Sequence, residues 1–122
     1  MRILVAVLLL LVSTLATAGY DVHITRKEFW AEETGPQITF SEWQSYVRSD
    51  KQVARDLQNS EHDFLVSIPG QTFPLWFNPQ LGELYTKDPT DSAVRKLRDI
   101  ARSLKAQLQG DDGESLLTER RP

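Results

Sequence analysis

Hydrophobic and polar positions alternate along "YDVHITR" (Tyr20 to Arg26), with Val22 and Ile24 on one side and Asp21, His23 and Thr25 on the other. A period of two is that of a half-buried strand. The period breaks in "RKEFWAEETGPQ", where Gly35-Pro36 marks a loop. "ITFSEWQSYVRSD" then shifts to helical spacing, which puts Trp43, Tyr46 and Val47 on one face. Thr39 is positioned to cap this helix. Glu42, three residues on, completes a capping box, and Ile38 with Trp43 forms the matching hydrophobic staple. The helix is expected to end near Asp50. Residues 51–60 hold no clear period, and one reading is a further helical turn through Val53 and Leu57.

Three more strand patterns follow. "HDFLVSI" (His62 to Ile68) is stopped by Pro69-Gly70, and "FPLWF" (Phe73 to Phe77) contains Pro74, which points to an edge position or a strand start. After the turn "NPQLG", "GELYTK" (Gly82 to Lys87) returns as the fourth strand. A final helix is expected from Asp88 as cap and Pro89 at the first helical position. Its stripe runs through Val94, Leu97, Ile100, Leu104 and Leu108 to Gln109, and Gly110 stops it. The order β-α-β-β-β-α predicts a single α+β domain over 19–110, an antiparallel four-stranded sheet with two helices on one face. Residues 111–122, "DDGESLLTERRP", read as a flexible C-terminal tail.

Ahead of the first strand, residues 1–18 read as a secretory signal peptide that is cleaved. Arg2 is the positive n-region, Ile3 to Val12 an unbroken apolar stretch, and Ala16-Thr17-Ala18 the small-x-small site that would leave Gly19 as the new terminus. The apolar stretch is shorter than the roughly 20 residues of a membrane span. The expected address is the periplasm, with secretion to the medium as the alternative, and membrane contact only during export.

Composition narrows the chemistry. The chain has no cysteine, which removes disulfides, thiol nucleophiles and Cys-ligated metal centres. Its net charge of −3 becomes −4 without Arg2, which argues against a nucleic-acid partner. No Walker, GxSxG, GxGxxG or HExxH element occurs. No cofactor, metal or catalytic set is therefore expected.

The stretches "YDVHITRKEFWAEE", "GPQITFSEWQSYVRSD", "LYTKDP" and "KLRDIARSLKAQLQGDDGE" together resemble a family of small uncharacterised bacterial proteins. Its members share a "YDVHITRK..W" opening, a "GP.I...EW..YV..D" helix and an "A..QGDDGE" ending. The resemblance implies a shared fold over most of residues 20–114, brings no activity with it, and makes the leader here look like an addition.

Two candidate sites remain. Strand parity places Asp21, His23, Thr25, Leu65, Ser67, Trp76, Glu83 and Tyr85 on the sheet face opposite the helices. Aromatic residues among charged ones are the composition of a recognition surface. The binding candidates are His23, Thr25, Leu65, Trp76 and Tyr85, set against an ordinary half-exposed face or one covered by the 26–37 loop through Phe29 and Trp30. The leading expectation is an exported protein-interaction module, for example a periplasmic immunity or inhibitor protein. The rival is a small-ligand- or metal-binding protein or hydrolase in which His23, His62 and Asp63, with Glu83, converge in one cleft. "GDDGE" (Gly110 to Glu114) lacks the alternating ligands of a calcium loop and reads as a polar helix terminus.

Overall fold

The structure, a computed structural model, describes residues 20–118. The expected signal peptide over 1–18 and the last four residues of the expected tail lie outside the described residues. The elements are β1 (Asp21–Thr25), α1 (Phe40–Ser49), β2 (Val53–Arg55), β3 (Asp63–Ile68), β4 (Gln71–Asn78), β5 (Glu83–Lys87), α2 (Asp91–Ser103) and β6 (Gln107–Gly110). They form one α+β domain around a single antiparallel sheet in the order β2-β3-β4-β5-β1-β6.

The sheet has six strands where the sequence pattern predicts four. β2 takes the stretch that carried no period, and Val53 is its one buried residue. β6 occupies what reads as the last turns of the second helix. That helix stops at Ser103 because Leu104 caps it and Lys105 turns into the left-handed region at φ 54°. Ala106 and Leu108 then continue inward with period two, and Gly110 is a strand residue rather than a helix stop. The start of α2 also differs: Thr90, not Asp88, caps it by accepting from the Ala93 N–H. Asp88 sits at φ 48° and exchanges hydrogen bonds with the Tyr20 backbone.

β4 is a central strand, so the edge position inferred from Pro74 is corrected. The ladder to β5 runs only over Trp76, Phe77 and Asn78, which leaves Pro74 beyond its end on that side. The Thr86 hydroxyl donates to the Pro74 carbonyl at 2.6 Å in place of a ladder bond.

The start of α1 follows the pattern closely. Thr39 accepts from the Glu42 N–H, and the Glu42 carboxylate accepts from the Thr39 N–H. Trp43 from α1 and Ala93, Leu97, Ile100 and Ala101 from α2 join Val22, Ile24, Phe64, Val66, Leu75, Phe77 and Leu84 in one buried core. Both helices therefore cover the same sheet face.

Asp50 at the end of α1 ties the helices together. It accepts from Lys96 Nζ of α2 at 2.7 Å and from the Tyr46 hydroxyl. Partial burial pushes its carboxyl up, but the Lys96 and Tyr46 bonds and the Gln52 N–H outweigh this, so its pKa lies below the usual value. A depressed carboxyl adds stability that is complete above its unfolded pKa and lost as pH falls through the folded one. In urea unfolding across acidic pH, Asp50→Asn is expected to remove on the order of 1 kcal/mol at neutral pH and to flatten the acid limb. An unchanged limb would show that this pair adds nothing.

Candidate functional site

On the face away from the helices, the strand registers align two rows of side chains. One runs Ala54, Leu65 and Pro74 toward Lys87 and Asp21. The next runs Asp63, Trp76, Tyr85, His23 and Gln109. The sequence parity of this face is therefore correct, but its two halves differ.

The β1 and β6 half is covered. The loop after β1, through Trp30, and the turn after β6, through Asp111, fold over it, and His23, Thr25, Glu83 and Gln109 are buried. The Trp30 ring lies flat on the His23 imidazole, centroids 3.7 Å apart and planes 5° from parallel. Its indole N–H donates to the Asp111 carbonyl at 3.0 Å, and its backbone N–H to Gln109 Oε1 at 3.0 Å. Gln109 Nε2 donates in turn to the Glu28 carbonyl at 2.8 Å. The buried Lys27 ammonium donates to the Glu32 carbonyl, closing the loop on itself.

His23 is held from both sides. Nδ1 lies 2.7 Å from Glu83 Oε1 and Nε2 lies 3.2 Å from Asp111 Oδ1. Burial opposes a charge on the imidazole, but hydrogen bonds and attraction from Glu83 and Asp111 outweigh it and raise its pKa. Burial pushes the Glu83 carboxyl up as well, against the pull of His23 and Lys27. Asp21 completes the cluster: its N–H donates to Asp111 Oδ2 at 3.1 Å, and its own Oδ1 is buried without a hydrogen-bond partner. Donor atoms of Asp21, His23 and Asp111 lie within 4.8 Å of one another, the spacing at which one ion can be shared.

The β3–β5 half remains open. Leu65, Trp76 and Tyr85 are half-buried, and Ala54 and Pro74 are exposed. The Trp76 and Tyr85 rings are neighbours, 5.2 Å apart at 45°. Partial burial and the charges of Glu83, Asp21 and Asp63 all push the Tyr85 hydroxyl pKa up, the mark of a negative field at this surface.

The expected binding residues thus separate: Leu65, Trp76 and Tyr85 share the open half, whereas His23 and Thr25 lie under the cover. The His23, His62 and Asp63 cleft does not form. β1 pairs with β5 and β6 instead of β3, so three strand spacings, roughly 14 Å, part His23 from Asp63. His62 turns to the helix side, against Phe40 and Phe77 at 5.1 and 5.8 Å. Of that set only Glu83 reaches His23.

Asp111 and Gln109 escaped the sequence reading because "QGDDGE" follows a helical pattern and ends in polar residues. The segment instead folds back: Leu116 and Leu117 pack on the core, and Arg98 and Arg102 donate to their carbonyls at 2.8 and 2.9 Å. Comparison with protein-family models, curated proteins and solved structures finds no match to this chain.

Proposed function

We propose that this chain is an exported protein-interaction module that takes a basic segment of a partner protein on the open half of its sheet face, in the manner of a periplasmic immunity or inhibitor protein. The observation that carries this reading is the adjacent Trp76 and Tyr85 pair, half-exposed beside Leu65 and Pro74 while the β1 and β6 half of the face is covered. Large, rigid aromatic rings next to apolar surface are the usual anchors of protein interfaces. The basic character of the partner follows from charge: Asp63 is the cross-strand neighbour of Trp76, the charges of Glu83, Asp21 and Asp63 act on Tyr85, and the chain is net acidic. Export rests on the charged, apolar and small-residue pattern of residues 1–18.

The test is affinity capture of the C-terminally tagged chain from its host, run beside Trp76→Ala and Tyr85→Ala. Each variant is expected to lose about 2 kcal/mol of binding, roughly 30-fold in Kd, with its fold intact by circular dichroism. Leu57→Ala, at an exposed apolar site outside the patch, is expected to bind as wild type. A stoichiometric basic companion lost from both aromatic variants supports the reading. A companion that both retain, or none at all, overturns it. The bait's own first residue, Gly19 or Met1, reports processing in the same eluate.

A further inference from the structure

We propose that Asp21, His23 and Asp111 form a binding site for one divalent transition-metal ion of the zinc class. The three residues come from β1 and from the turn after β6, brought together by the Val22–Gly110 and His23–Gln109 pairings. His23 supplies Nε2 and the carboxylates supply oxygen, with the donor atoms within 4.8 Å of one another. Donors about 2.0–2.2 Å from one tetrahedral ion lie roughly 3.4 Å apart, so binding draws these three side chains together from their present spacing.

Three observations separate this cluster from a chance gathering of acids. First, Glu83 sits behind the imidazole at 2.7 Å from Nδ1, with both side chains 3 % exposed. A carboxylate on the far nitrogen fixes the ring and leaves Nε2 to the ion, an arrangement metal-binding histidines share. Second, Asp21 Oδ1 is buried with no hydrogen-bond partner, and its ion pair with Lys87 Nζ is a long one, at 4.0 Å. An oxygen in that state gains most from a ligand. Third, Trp30 shields one face of the imidazole and fixes the Asp111 backbone through its indole N–H.

The donor set decides the kind of ion. Calcium and magnesium take oxygen ligands, whereas imidazole nitrogen with carboxylate oxygens suits zinc and its first-row neighbours. The way in is from solvent past Asp111, whose side chain is 39 % exposed, with His23 at the floor. Three protein ligands leave a further position for water.

Chelator-treated full-length protein titrated with zinc chloride in a calorimeter is expected to bind one ion per chain and to melt at higher temperature when loaded. Magnesium and calcium are expected to give no comparable heat. Asp21→Asn and Asp111→Asn should each weaken zinc by about tenfold or more, while Asp112→Asn, an exposed neighbour, should not change it. Cobalt(II) supplies a readout that does not depend on the variants folding. The chain has two histidines, and substoichiometric cobalt should broaden the His23 imidazole resonances and leave those of His62 sharp. Absence of one-to-one zinc binding, wild-type affinity in either Asn variant, or equal broadening of both histidines would overturn the site. Failure here is distinguishable from failure of the interaction surface, because Trp76 and Tyr85 contribute no ligand.

Discussion

Glu83→Ala is expected to destabilise the fold by about 3–5 kcal/mol, the cost of leaving one half of a buried pair without its partner. Glu83 and His23 are each almost fully buried and meet at 2.7 Å. With the carboxylate gone, Nδ1–H loses its acceptor inside a covered face, and water has no ready access to replace it. The imidazole also loses the larger of the two attractions that raise its pKa, leaving only that of Asp111. Glu83→Gln should cost distinctly less, because an amide oxygen still accepts from Nδ1–H while the charge is lost. Removing both partners in His23→Ala/Glu83→Ala should cost less than the sum of the single changes, since each single variant strands the other group. Urea unfolding near neutral pH of wild type, Glu83→Ala, Glu83→Gln, His23→Ala and the double variant measures these differences. A Glu83→Ala midpoint indistinguishable from wild type would mean that the pair is not buried in solution.

The parts of the fold that were legible are those where one period dominated. In β1, β3 and β5 the alternation of Val22 with Ile24, Phe64 with Val66, and Leu84 with its polar neighbours puts the apolar side chains on the helix face, whatever covers the other face. α1 announced itself through side chains that bond their own backbone, Thr39 and Glu42, and such local chemistry needs no tertiary partner to be read. β6 was hidden because "LKAQLQG" satisfies two periods at once. Leu97, Ile100, Leu104 and Leu108 fit a helix, and Leu104, Ala106 and Leu108 fit a strand. What decides between them is the left-handed turn at Lys105, a residue type with no special preference for it. β2 was hidden for the opposite reason: three residues with one inward side chain carry too little pattern to register.

The site was half legible for a related reason. Parity placed His23, Glu83, Trp76 and Tyr85 on one face correctly, because it is a property of each strand alone. Which residues cover that face depends on pairing order, which parity does not contain. The cover is made by Trp30 and Asp111, 81 residues apart, joined only once β6 lies beside β1. The covering is also partial: Trp30 closes the β1 and β6 half, and the β3–β5 half stays open.

Trp43→Ala is the second large effect, expected to cost about 3–5 kcal/mol. Trp43 is fully buried where α1 meets the sheet, stacked on Tyr46 at 5.6 Å and edge-on to Phe64 at 5.3 Å. No neighbouring side chain can grow into the space, so the change leaves a cavity beneath α1. For a domain of this length, where each kcal/mol shifts Tm by about 4–8 °C, the melting temperature should fall by more than about 10 °C. Trp43→Phe separates packing from polarity. The indole Nε1–H is buried without an acceptor, a state that itself costs about 1–3 kcal/mol. Phenylalanine gives up volume but removes that orphan donor, so the two terms oppose and the net change should stay within about 1 kcal/mol. Thermal unfolding of the two variants decides the matter. A Trp43→Phe loss as large as that of Trp43→Ala would mean that the indole N–H has a partner in solution and that its bond, not its ring, holds α1 in place.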